Sequence, residues 1–247
     1  MLSIALSFLI ASPSLAVAAT NAPAGGFSDR VFKDAEGKEF KYVLFVPHDY
    51  SPDKAWPVIL FLHGAGERGD DGAAQVKVGL GPAVAKREKT FPAIAVFPQC
   101  SSGGTWRAES NSNDATRALQ ILAEVEKEYK IDANREYLTG LSLGGMGTWS
   151  IALKFPDRFA AIVPICGRGD TSQAAKIAQL PTWCFHGDED RAVPVEGSRS
   201  MIAAMKDAGG HPKYTEYPGV GHNSWDQAYG TEELYTWLFQ QKRSAAK

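Results

Sequence analysis

An open, mostly parallel α/β sheet with helices on both faces is the fold this chain predicts, and three observations carry the prediction. Apolar runs of strand length recur along the chain, and each closes on a glycine-rich or polar loop. Stretches with helical periodicity separate them. The 247 residues suffice for one full core, and no internal linker, repeat or low-complexity tract divides them.

The first twenty residues, MLSIALSFLIASPSLAVAAT, hold an apolar stretch from Leu2 to Ala11, then Pro13 and small residues at Ala16 to Ala18. That order reads as a signal peptide over 1–18, which places the protein in a secreted or periplasmic location. No Lys or Arg precedes the apolar stretch, so an uncleaved anchor is the alternative; with cleavage, no stable membrane association is expected. Residues 19–29 read as a flexible segment and 30–247 as a single domain.

Alternation in FKYVLFVP (40–47) predicts a half-buried strand. WPVILFLHG follows, continuously apolar from Val58 to Leu62, and the same grammar returns in AIAVFPQ (93–99), AAIVPICG (160–167) and TWCFHG (182–187). Such runs mark strands covered on both faces. EYLTG (136–140) joins them by its place in the series, and KYTEYP is the last strand. Between strands, Ala118, Leu122, Val125 and Tyr129 form one helical face, with Asn113 or Asp114 placed to cap its start. Leu143 to Phe155 is helix-like and stops at Pro156; Glu196 to Ala208 ends at Gly209 and Gly210. Strands alternating with helices at this rhythm give βαβ units and a doubly wound sheet.

Composition narrows the partners. Hydrophobic residues make up 44%, charged residues 22%, and the formal charge is -2, with no basic run. No nucleic-acid partner is expected. The glycines after Ser142 lack phosphate-binding spacing, and no cofactor or metal is expected. Cys100, Cys166 and Cys184 each lie in or just beyond an apolar run and read as small buried hydrophobes.

In open α/β sheets, ligands bind beyond the carboxyl ends of the strands, so chemistry is expected in the loops that follow them. One of these is GLSLGG (140–145), a G-x-S-x-G pattern at a strand-to-helix junction. The turn there is so tight that side chains at the flanking positions would collide, and Gly140 and Gly144 remove them. Ser142 is then raised above the sheet, with the amide of Leu143 facing the same place from a helix N-terminus. The plainer reading is a serine capping a helix, which requires no partners elsewhere.

A serine nucleophile needs a base, and the base an orienting group. Five histidines are available. His48 and His211 lie in loops, while His63 and His186 end strands immediately before glycine, where bracing a loop is the expected role. His222 remains, in the loop PGVGHNSW after the last strand. For the acid, HGDED offers Asp188, Glu189 and Asp190; period-two alternation would set Glu189 opposite the two aspartates, but in a turn it cannot choose between Asp188 and Asp190. Nucleophile, acid and histidine occur in that order along the chain.

With HGAGERG, PQC and a following Trp106, GLSLGGMGTW, FPDRFAAIVPICG, HGDEDRAVP and GVGHNSW in hand, the chain resembles the α/β-hydrolases of the carboxylesterase and dienelactone-hydrolase-like group. It is similar to secreted feruloyl and acetylxylan esterases and polyhydroxybutyrate-depolymerase-like enzymes. The resemblance implies the α/β-hydrolase fold and a Ser142, Asp190 and His222 triad, with Asp190 rather than Asp188 as the acid. It also implies ester hydrolysis through an acyl-enzyme. Position 142 is serine where dienelactone hydrolases use cysteine, which speaks against lactone opening of that type. The amides of Ala65 and Leu143 are the expected oxyanion-hole donors. The stretch between Gly167 and Thr182 leaves no room for a cap domain, so an open site is expected, with an acyl ester of polysaccharide as one candidate substrate. Trp106 and Trp225 are placed to line its entrance. Glu67, Arg68, Asp70 and Asp71 read as a solvated loop with internal ion pairs. A serine peptidase of the prolyl-peptidase-like type and an inactive binding protein are the alternatives.

Overall fold

The computed structural model describes residues 25–109 and 113–243. The signal-peptide reading, 1–18, lies outside the described residues, as does 19–24 of the segment read as flexible. The remainder of that segment is ordered. Gly26–Lys33 forms strand β1, paired antiparallel with β2 (Glu39–Val46) along its whole length. The domain therefore begins before Arg30. Ser28, Asp29 and Arg30 interrupt the alternation that would have revealed the strand; its apolar contacts are Phe32, buried in the core, and Phe27, whose ring lies 5.0 Å from that of Phe45 on β2.

Six parallel strands follow: β3 (Trp56–Leu62), β4 (Ile94–Pro98), β5 (Ile131–Leu141), β6 (Ala161–Ile165), β7 (Trp183–Gly187) and β8 (Lys213–Tyr217). Their order in the sheet is β1-β2-β4-β3-β5-β6-β7-β8, with β2 antiparallel to β4. β3 is central, Leu60 lying beside Val96 of β4 and Leu138 of β5.

The strands carry side chains to both faces, as period two requires. Val58, Leu60 and Leu62 enter one core, which α2 (Asp114–Glu128), α3 (Leu143–Lys154) and α4 (Glu196–Asp207) cover with Leu122, Ile151 and Met201. Ile59 and Phe61 enter the other, covered by α1 (Leu80–Lys86), α5 (Trp225–Gly230) and α6 (Glu232–Gln240) through Val84, Tyr229 and Leu238. Each fully buried aliphatic side chain contributes about 1.5–3 kcal/mol, so continuous apolar runs in β3 and β4 are what a sheet enclosed on both faces demands. This is the α/β-hydrolase architecture.

Helix α2 buries the face read from its spacing, and Tyr129 is its buried C-terminal cap. Neither expected N-cap acts as one. Asn113 makes no side-chain cap, and Asp114 Oδ1 turns to the Ser101 amide, 3.1 Å away, and to Arg117. Three helices had no sequence signal: α1 contains Gly81 and Pro82, α5 is six residues long, and α6 carries its apolar residues at only three buried positions. Between β6 and β7 the chain makes a 3-10 helix, Thr171–Ile177, packed against α3 and α4. Among the described residues, no cap domain rises over the strand ends, and no helix is long and apolar enough to cross a membrane.

Candidate active site

At the carboxyl end of β5 the chain reverses into α3 within one residue. Ser142 takes φ 53° and ψ −114°, a left-handed conformation that costs a non-glycine residue about 1–3 kcal/mol. Two backbone bonds hold it there: its N–H donates to Ile165 O at 2.9 Å, and Met146 N–H donates to Ser142 O at 2.9 Å. The flanking glycines are steric necessities. A Cβ at Gly144 would lie 1.8 Å from Leu62 O, and one at Gly140 would lie 2.5 Å from Gly144 O. Backbone thus packs on backbone where β3, β5 and α3 meet, and Ser142 is pushed out half-exposed.

His222 reaches Ser142 from the loop after β8. Its Nε2 lies 2.9 Å from Ser142 Oγ and its Nδ1 2.7 Å from Asp190 Oδ2. An ionised carboxylate only accepts, so Nδ1 carries the proton and the Nε2 lone pair faces the serine hydroxyl. Burial pushes the Asp190 carboxyl up, but the His222 N–H and the Val193 and Ala192 amides outweigh it and hold the group below its usual range. Asp188, the alternative acid, is exposed and accepts the Gly219 amide at 2.7 Å, fastening the turn before His222 instead of the imidazole itself.

The other histidines have their nitrogens committed elsewhere or lie in loops. His63 is fully buried: Nε2 accepts the Cys100 amide at 2.9 Å and Nδ1–H donates to Gly64 O at 2.6 Å. Burial lowers its pKa to about 4, so it stays neutral. His186, also fully buried, lies 3.1 Å from Asp190 Oδ2 through Nε2 and 2.7 Å from Ser198 Oγ through Nδ1. His48 and His211 are exposed.

His63 also orients the turn that follows it. A trans peptide points its C=O and the next N–H in opposite directions. With Gly64 O held against the buried imidazole, the Ala65 N–H points away from it, outward. Ala65 opens a short 3-10 helix (Ala65–Glu67) and Leu143 opens α3, so neither amide has a partner within its own helix. A Cβ built on Gly64 would stand 3.8 Å from Ser142 Cβ and 2.9 Å from Leu141 Cδ1, so the turn presses closely on the serine. Gly66 has open space where a Cβ would go, and only Gly64 is sterically required.

Trp106 does not line the entrance. It is fully buried, with Nε1–H donating to His63 O at 2.9 Å and its ring edge-on to His63 at 5.1 Å. It acts as core that supports the turn, and its distance in sequence from β3 concealed that contact. Trp225 does stand beside the site, perpendicular to the His222 ring at 5.3 Å and half-exposed. No ion pair forms within Glu67, Arg68, Asp70 and Asp71. Asp71 caps the next turn instead, accepting the Ala73 and Ala74 amides and Gln99 Nε2.

One neighbour of the site had no sequence signal beyond a buried thiol. Cys166, at the end of β6, has φ 40° and is fully buried, its donor atom within 4.8 Å of those of Asp190 and His222. Burial raises its pKa far above the thiol range. An ion could use these three groups only by parting the 2.7 Å contact between His222 and Asp190.

The arrangement places a hydroxyl, an imidazole and a carboxylate in one hydrogen-bonded line. A solved thermostable esterase superposes with a TM-score of 0.82 at 39% identity over 88% of this chain and 63% of that one. A feruloyl esterase module from Clostridium thermocellum shares the fold, with a TM-score of 0.68 at 18% identity and 92% of each chain covered. By sequence, the chain is 25% identical over 211 residues to a bifunctional acetylxylan esterase/xylanase of Neocallimastix patriciarum, covering 83% of this chain and 29% of that protein. It is 26% identical over 204 residues to a probable feruloyl esterase C of Aspergillus niger, covering 80% and 73%. The chain thus spans less than two thirds of the first relative and of the thermostable esterase. Residues 102–235, holding Ser142, Asp190 and His222, match the phospholipase/carboxylesterase family, and the chain belongs to that family.

Proposed function

We propose that the protein is a serine hydrolase of carboxylic esters. The observation that carries this reading is the continuous line from Ser142 Oγ through His222 to Asp190, with contacts of 2.9 and 2.7 Å. His222 Nε2 takes the serine proton as Oγ attacks the ester carbonyl. Asp190 keeps the imidazole in the correct tautomer and stabilises its cationic form. The amides of Ala65 and Leu143 stabilise the oxyanion, each worth about 10²- to 10³-fold in turnover. His222 then passes its proton to the departing alcohol, and water repeats the attack on the acyl-enzyme.

Substrate and location extend the same reading. With no cap over the strand ends among the described residues, the site admits the end or side branch of a bulky molecule. Relatives named as acetylxylan and feruloyl esterases support polysaccharide acyl esters as the substrate class. The N-terminal segment supports export.

A panel of p-nitrophenyl esters from acetate to octanoate, methyl ferulate, acetylated xylan and a Pro-containing peptide amide tests the reading, with Ser142→Ala as control. Ester turnover in the wild type, fluorophosphonate labelling of Ser142 and loss of both in the variant are expected. Turnover of the peptide alone would overturn the assignment.

A further inference from the structure

Glu67 is the first charged residue beyond the oxyanion turn, and its carboxylate folds back over that turn. The point that a Cβ on Gly64 would occupy lies 3.0 Å from Glu67 Oε2 and 3.8 Å from Ser142 Cβ. The carboxylate is therefore within about two van der Waals contacts of the proposed nucleophile. The backbone amides of Gly64 and Glu67 partly offset the burial of this carboxylate.

Those two amides leave the carboxylate with unused capacity, since it can accept about four hydrogen bonds. Among the described residues no lysine, arginine or histidine pairs with it. Adjacent Arg68 is not the missing partner, because its charge acts on His63 and Cys100, behind the turn. Burial raises the Glu67 carboxyl above its usual value despite the two amides, consistent with a group short of donors. The residue is half-exposed, so the carboxylate is not sealed from solvent.

We propose that Glu67 is a specificity-determining residue of the ester site, accepting a hydrogen bond from a hydroxyl group of the substrate. The proposal rests on the ester-hydrolase reading above and extends it to a substrate class: esters bearing a hydroxyl near the reacting carbonyl, as on a sugar. A carboxylate that keeps free acceptor positions beside the proposed nucleophile suits a hydroxyl donor on a neutral ester.

Matched ester pairs test it: methyl 3-hydroxypropionate against methyl butyrate, and glycerol monoacetate against propyl acetate, with wild type, Glu67→Ala and Glu67→Gln. A general loss of turnover from loosening the turn lowers both members of a pair alike, so the ratio of kcat/KM values isolates recognition. In at least one pair the wild type should favour the hydroxylated ester by about ten- to a hundredfold, the range of a hydrogen bond to a charged acceptor. Glu67→Ala should bring that ratio near one, and Glu67→Gln, whose amide oxygen still accepts, should keep part of it. Should Glu67→Ala fail to fold, a Glu67→Gln ratio equal to that of the wild type overturns the proposal. Wild-type ratios near one in both pairs, or a wild-type ratio kept by Glu67→Ala, overturn it while leaving ester hydrolysis standing. A wild type that turns over none of the four esters overturns the ester reading and this proposal with it.

Discussion

A single methyl group at Gly144 should separate the geometry of the site from its chemistry. The Cβ of Gly144→Ala would lie 1.8 Å from Leu62 O, 2.4 Å from Leu62 C and 2.8 Å from His63 O. All three are backbone atoms at the end of β3, immediately before the turn that carries Ala65. Real Cβ atoms do not approach within 3.0 Å of such neighbours, so α3 and the end of β3 must part by more than 1 Å. No flexible side chain is there to absorb the shift. Ser142 moves with α3 and Ala65 with β3, so the proposed nucleophile and one proposed oxyanion donor separate. A displacement of about 1 Å between reacting groups costs on the order of 10²-fold in rate, and overpacking costs about 1–3 kcal/mol of stability.

Steady-state kinetics on an ester that the wild type turns over, with thermal melts, reads both effects. The expected result is a fall in kcat of about 10²-fold with KM changed less, and a Tm lower by a few degrees, on the order of 2–4 °C per kcal/mol for a chain of this size. Gly230→Ala is the control: nothing lies within 4 Å of the added Cβ, and the position is exposed at the end of α5. A Gly144→Ala protein within about threefold of wild-type kcat would refute the reasoning, because the backbone contact would then be shown to yield without disturbing the site.

Two further outcomes follow from the hydrogen bonds. Asp190→Asn should lower kcat by about 10⁴-fold by favouring the wrong His222 tautomer, whereas Asp188→Asn, altering only the bond to Gly219, should stay within about tenfold; equal losses would remove the distinction between them. His63, with its pKa held near 4 by burial, takes its proton later than the unfolded chain does as pH falls. Its contribution to stability is complete above about pH 6.5 and is lost progressively down to about pH 4, up to about 3 kcal/mol. Urea unfolding at pH 7, 5.5 and 4 should show a shallower pH dependence for His63→Asn than for wild type, and parallel curves would count against it.

The parallel strands were legible because burial on both faces writes them as continuous apolar runs, as in Val58 to Leu62. β1 was not, because its burial comes from its partner and its polar centre breaks the alternation. At the site, G-x-S-x-G announces itself through a steric rule: two glycines where two backbones touch. Asp190 and Asp188 could not be separated from residue pattern alone, since both follow the same strand in a turn; the resemblance favoured Asp190, and only the coordinates show which carboxylate faces His222. Trp106 was misjudged for a related reason. A tryptophan beyond a strand end can face the opening or the core, and the choice is made by its indole N–H finding His63 O, a contact spanning 43 residues. Cys166 was legible as a buried thiol but not as a neighbour of the site, because its position beside Asp190 and His222 arises from β6 and β7 lying adjacent in the sheet.

The surroundings of Asp190 explain why two histidines near one carboxylate are not interchangeable. Oδ1 accepts the amides of Ala192 and Val193 at 2.9 Å each, while Oδ2 faces His186 at 3.1 Å and His222 at 2.7 Å. Both oxygens are thus saturated, which fixes the carboxylate in direction as well as in charge. His186 Nε2 also faces Val193 O at 2.9 Å, so it must be protonated, and Nδ1 rests against Ser198 in a fully buried setting. Both of its nitrogens are occupied by fixed protein groups, and it cannot carry a proton anywhere. His222 differs in one respect: its second nitrogen meets a half-exposed hydroxyl rather than a buried structural partner. One imidazole is therefore a strut for the acid and the other is free to exchange a proton with a reacting molecule. What decides between them is the destination of the nitrogen that faces away from Asp190.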